Sequence, residues 1–100
     1  GYPYISIGER MHKNFRGGSV NRLVRTLTLL GYRFYKSPHE YKRGKFHVII
    51  TVWSERRCSL SLHRDRLRWL FGGHEAVWHG RDLDEEMNKI MAKYHELREG

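Results

Sequence analysis

The sequence predicts an α+β fold: a mostly antiparallel sheet of four to six strands with two helices packed on one face. Three observations lead there. Lys45 to Trp53 reads KFHVIITVW, with Phe46, Val48, Ile50 and Val52 on one side and His47, Ile49, Thr51 and Trp53 on the other. That period of two, carried by β-branched and aromatic residues, is a strand signal. Cys58, Leu60 and Leu62 then alternate with Ser59, Ser61 and His63, so the two runs form a hairpin with one apolar face. Finally, two stretches with apolar residues three and four apart flank the strands in the chain and supply the helices that cover that face.

The elements follow in order. Tyr2 to Gly8 suits a short edge strand, with Pro3 at a position an edge tolerates. Glu9 to Gly18 carries Arg10, His12, Lys13 and Arg16 and ends in two glycines, which reads as a basic arm or loop. Residues 1–18 are therefore expected as an edge strand and arm, and residues 19–100 as a single domain. Ser19 is an N-cap for a helix over 20–30, where Val20, Leu23, Val24, Leu27 and Leu30 form the apolar stripe. Asn21, Arg22, Arg25, Thr26 and Thr28 lie off that stripe, and Gly31 supplies the left-handed residue that ends it. Residues 32–36 suit a strand, and Ser37 to Gly44 is expected to close a long basic hairpin into the strand at 45–53. Beyond the strand at 57–63, Gly72-Gly73 favours the turn of a further hairpin over 66–79, with a short helix through Arg64–Phe71 as the competing reading. Asp82 reads as the N-cap of the last helix, with Glu85 completing a capping box, Glu85 pairing with Lys89, and an outer face acidic at its start. Leu83, Met87, Ile90, Tyr94 and Leu97 form its apolar stripe.

Charge narrows the function. The net charge is +8, and residues 82–100 are net −3, so residues 1–81 carry +11. A field of that size favours polyanions, nucleic acid foremost. Basic and aromatic residues interleave: Arg33, Tyr35, Lys36, Tyr41, Lys42, Arg43 and Lys45 in one group, Arg56, Arg57, Arg64, Arg66 and Arg68 in another. Lys and Arg neutralise phosphates while Tyr and Trp stack on unpaired bases. With Arg10, Lys13 and Arg16 of the arm, these cations form the expected nucleic-acid-binding set. The single cysteine, Cys58, cannot form an internal disulfide, and no run approaches a membrane span, so an intracellular, cytoplasmic setting is expected. The absence of Gln and the scarcity of Asn fit a thermophilic source.

The seven histidines do not fall at metal-ligand spacings, and no metal or cofactor is expected. Acid–base cleavage of RNA is easier to build, since His39, His47 and His63 lie in or beside the basic half. His39 and His63 are the candidates for that alternative. Glu40-Tyr41-Lys42 has the Glu-x-Lys spacing of metal-dependent nucleases but no suitable upstream acid.

The order helix (20–30), three strands (32–36, 45–53, 57–63), helix (82–97) resembles the α-β-β-β-α of double-stranded-RNA-binding domains, an order shared by small ribonuclease toxins of the HicA type. Leu30-Gly31-Tyr32 leading into an aromatic strand looks like the start of such toxins, and His79-Gly80-Arg81-Asp82-Leu83 like their last step. The resemblance implies RNA as the partner and His39, in Ser37-Pro38-His39, as the position matching the toxin histidine. The chain differs in placing Asp82, Asp84, Glu85 and Glu86 where the binding domains begin a Lys-rich helix, and in the added hairpin at 66–79.

The leading expectation is a nucleic-acid-binding domain with mainly electrostatic, weakly sequence-specific contacts. A metal-independent ribonuclease is the first alternative. The second is a protein-interaction module or homodimer, docking through Leu67, Trp69, Phe71 and Trp78. No membrane and no small-molecule partner is expected.

Overall fold

A computed structural model describes residues 10–16, 20–64 and 80–97 of the chain. In chain order these form β1 (Arg10–Arg16), α1 (Val20–Leu29), β2 (Arg33–Lys36), β3 (Glu40–Arg43), β4 (Phe46–Ser54), β5 (Arg57–Arg64) and α2 (Gly80–Glu96). The five strands make one sheet in the order β1-β5-β4-β3-β2, and every neighbouring pair is antiparallel. The α+β class, the strand number and the two helices agree with the expectation.

The two faces of the sheet follow from register, because directly opposed residues project to the same side. Phe15 opposes Cys58, Leu62 opposes both Met11 and Val48, Leu60 opposes Ile50, and Tyr41 opposes Val48. This face is the core face. Its residues join Leu23 and Leu27 of α1 and Leu83, Met87, Ile90 and Tyr94 of α2 in one apolar cluster. Leu23, Leu27, Val48, Leu60, Leu62 and Ile90 are wholly buried, each contributing roughly 1.5–3 kcal/mol relative to exposure. Phe15 and Tyr94 pack edge-to-face with their ring centres 4.8 Å apart. Arg22 donates to the Tyr94 carbonyl and lies 4.0 Å from the centre of that ring, tying α1 to α2.

Helix α1 ends as its glycine dictates. Gly31 adopts φ +98°, its amide reaches the Thr28 carbonyl, and the Tyr32 amide reaches the Leu27 carbonyl at 2.9 Å. This paired closure satisfies two carbonyls that the end of a helix leaves open. Thr26, expected off the apolar stripe, is fully buried, with its hydroxyl satisfied by the Arg22 carbonyl at 2.7 Å.

Several other expectations are corrected. Arg10–Arg16 is not a loose arm; it pairs along its whole length with β5 as an edge strand. The segment between β2 and β4 is not one long loop, because Glu40–Arg43 pairs on both sides as β3. Among the described residues, four strands rather than three therefore separate the helices. Asp82 is not the N-cap, since α2 begins at Gly80. Its carboxylate sits in the first turn and binds Arg64 at 2.5 Å and Lys45 at 3.4 Å. Lys89 pairs with Glu86 rather than Glu85, at 3.9 Å, and Glu86 is buried rather than part of an outer acidic face. The strand expected at Tyr2–Gly8 and the hairpin at 66–79, with Leu67, Trp69, Phe71 and Trp78, lie outside the described residues. No helix among the described residues is long and apolar enough to cross a membrane.

Candidate nucleic-acid interface

Both helices pack on the core face, and no described element packs on the other. The alternation that buries Phe46, Val48 and Ile50 turns His47, Ile49 and Thr51 to this second face. Register then lines up residues from all five strands. Arg10 opposes His63, His63 opposes His47, His47 opposes Lys42, and Lys42 opposes Arg33. The result is a row, Arg10-His63-His47-Lys42-Arg33, in which every member is a cation or a histidine. Strands lie about 4.8 Å apart, so the row spans roughly 19 Å. A second basic pair, Arg16 opposite Arg57, stands at the far end of the same face.

Like charges directly opposed across strands cost stability, by roughly 0.2–1 kcal/mol per pair. Lys42 opposite Arg33 and Arg16 opposite Arg57 are such pairs on this face. Glu40 is the one acid that the described strands place there, and it is engaged with His47, Oε1 to Nε2 at 3.0 Å. A carboxylate only accepts hydrogen bonds, so this contact makes Nε2 the protonated nitrogen and leaves the Nδ1 lone pair for other use. The His47 and His63 rings lie 5.9 Å apart between centres. The Tyr35 ring meets His47 edge-on at 5.5 Å, and Lys42 Nζ lies 4.8 Å from the centre of the Tyr35 ring. In the adjacent row, His12 Nδ1 is 3.3 Å from Ser61 Oγ. Trp53 donates from its indole nitrogen to Ser59 Oγ at 3.1 Å. Tyr35 and Trp53 remain more than half exposed, at 53% and 60%. Both can therefore offer a ring face to a ligand.

The expected binding cations divide into groups. Arg10, Arg33 and Lys42 belong to the row; Lys36, opposite Glu40, and Arg16 and Arg57 share its face. Lys13 opposes Leu60 and so projects from the core side of the edge strand, and Arg56 is exposed in the β4–β5 turn. Arg43, Lys45 and Arg64 are engaged within the fold. Arg43 binds buried Glu86 at 2.8 Å and donates to the Leu30 carbonyl at 2.9 Å, while Lys45 and Arg64 hold Asp82. Arg66 and Arg68 lie outside the described residues.

The Arg43–Glu86 pair anchors a buried polar network. The Tyr32 hydroxyl donates to Glu86 Oε2 at 2.6 Å. Burial, and then the bond to Glu86 and the charge of that carboxylate, push the Tyr32 hydroxyl far above its ordinary pKa, against the opposing charge of Arg43. Burial likewise raises the Cys58 thiol, which stays protonated and unreactive in the core.

Of the two histidine candidates, His63 lies within the row. His39 sits in the β2–β3 turn, where its carbonyl accepts from the Ile50 amide and its Nδ1 is buried without a hydrogen-bond partner. Among the described residues, no three His, Cys, Asp or Glu side chains come together to hold a metal ion. The position of His47 beside His63 was visible only in part beforehand. The alternation placed both off the apolar face, but their opposition depends on the register. His12 and Trp53 were never candidates, because each joins the face through a strand pairing or a bulge.

No protein-family model, no curated protein and no solved structure matches the chain.

Proposed function

We propose that the chain binds single-stranded nucleic acid across the open face of its sheet. The observation that carries this reading is the Arg10-His63-His47-Lys42-Arg33 row, three cations and two histidines across which a phosphate backbone could lie. Exposed Tyr35 and Trp53 on the same face supply stacking surfaces for unpaired bases, and such contacts tolerate any base. A single strand suits the face better than a duplex groove. The major groove of DNA is about 12 Å wide and admits a helix or a two-stranded ribbon, whereas the row is roughly 19 Å across. The predicted contact is electrostatic and weakly specific.

The test is a fluorescence titration of labelled single-stranded RNA and DNA and of both duplexes at several salt concentrations. Wild type is expected to bind the single strands, with affinity falling steeply with salt. Lys42→Glu with Arg33→Glu is expected to weaken binding at least tenfold. Lys13→Glu makes the same kind of charge change on the opposite side of the sheet and is expected to leave affinity within twofold of its salt-matched value. Equal losses in the two variants would show a diffuse charge effect and overturn the assignment to this face.

A further inference from the structure

We propose that the His47–His63 pair cleaves RNA by metal-independent transesterification. This rests on the binding reading above and adds a reaction to it. The pair stands at the centre of the row, with Lys42 beside His47 and Arg10 beside His63. A phosphodiester crossing the row would meet both imidazoles and both cations together. Two nitrogens, each about 3 Å from its own reacting oxygen on one phosphate, fit rings 5.9 Å apart between centres.

The two histidines differ in what surrounds them, and that assigns their roles. Glu40 accepts from His47 Nε2 at 3.0 Å and orients the ring. His47 Nδ1 is therefore the general base. His63, the second imidazole facing the same phosphate, opposite His47, is then the general acid. Glu40, Lys42, Tyr35, Arg10 and the two histidines are the titratable or charged groups of the described strands that face the pair.

In the reaction, the ribose 2′-oxygen forms a bond to phosphorus while its proton passes to His47 Nδ1. The bond from phosphorus to the 5′-oxygen breaks, and that oxygen takes a proton from His63. The products are a 2′,3′-cyclic phosphate and a free 5′-hydroxyl, with no water, metal or redox partner consumed. Lys42 and Arg10 stabilise the charge that builds on the non-bridging oxygens. The substrate must be RNA, since DNA has no 2′-hydroxyl to attack.

The test measures two things on the full chain. Binding is followed with an oligonucleotide of 2′-deoxy nucleotides, which cannot react, and cleavage with the matching RNA in the presence of EDTA. The expected result is cleavage leaving cyclic phosphate ends, with a bell-shaped dependence on pH. His47→Ala and His63→Ala are each expected to slow it 100-fold or more, with binding of the deoxy strand within threefold of wild type and an unchanged circular dichroism spectrum. Glu40→Gln, a positioning change, is expected to lower kcat with KM little altered. If a variant misfolds, His47→Asn or His63→Gln takes its place in the same comparison. Binding without cleavage would overturn the catalytic proposal and leave the binding reading standing. Cleavage that persists in both variants would also overturn it, and loss of deoxy-strand binding in wild type would overturn both readings.

Discussion

Replacing Arg43 with Met should destabilise the fold, because it strands a buried charge. Glu86 is 3% exposed and relies on Arg43 at 2.8 Å, the Tyr32 hydroxyl at 2.6 Å and the more distant Lys89 at 3.9 Å. Breaking a buried ion pair by removing one partner typically costs about 3–5 kcal/mol. The Arg43 side chain is 31% exposed, so water screens part of the interaction and the lower end, about 3 kcal/mol, is the expected loss. The Leu30 carbonyl also loses its donor. For a domain this size, that loss lowers the melting temperature by about 10 °C or more. Converting the network to apolar groups, with Arg43→Met, Glu86→Leu and Tyr32→Phe together, should recover most of it, since the buried carboxylate and hydroxyl are removed and only the Leu30 carbonyl is left without its donor. Urea unfolding followed by circular dichroism measures both variants. A cost below about 0.5 kcal/mol for the single change, or a triple variant less stable than the single, would refute the reasoning.

Other outcomes follow from the same geometry. Tyr32 has a folded-state pKa raised far above the ordinary 10. Its contribution is therefore full below pH 10 and declines above it, by up to about 1.4 kcal/mol per pH unit. Alkaline unfolding monitored by circular dichroism should start later in Tyr32→Phe, relative to that variant's own stability at pH 8. Gly31→Ala should cost about 1–2 kcal/mol in urea unfolding. The added methyl meets φ +98° and a Cβ position 3.3 Å from the Arg43 Cδ. Each phosphate contact removed from the open-face row should lower the slope of log affinity against log salt by about 0.7 for a single strand, as read from titrations of Arg33→Ala and Lys42→Ala. Because Lys42 directly opposes Arg33 in the row, inorganic phosphate or sulfate should raise the melting temperature of wild type more than that of Lys42→Ala, measured by differential scanning fluorimetry.

How much of this was legible beforehand depends on how local each signal is. The strand at Phe46–Ser54 and its partner at Arg57–Arg64 could be read because alternation is a property of the chain itself, and both helices were visible for the same reason. Arg10–Arg16 was not, because Arg, His, Lys and Asn dominate it and only Phe15 is fully buried. An edge strand with one strongly apolar position carries almost no periodic signal. Glu40–Arg43 was hidden in the same way, with four residues and one buried side chain, Tyr41. Glu86 looked like part of an acidic helix start. Its burial follows from tertiary partners, Tyr32 and Arg43, that lie far from it in sequence. The cation row is the clearest case. Its members were all named as candidates or noted as histidines. Their alignment, however, requires four registers, and nothing in the chain specifies those before the sheet is formed.

The most direct test of the open-face account is nuclear magnetic resonance of the histidine rings during titration with a single-stranded oligonucleotide. His12, His47 and His63 are on the open face, while His95 is exposed on α2 at the opposite side of the sheet. Binding across the open face should move the ring signals of the first three with added oligonucleotide and leave His95 in place. Movement of His95 with the sheet histidines unchanged would place the ligand on the helices and contradict it.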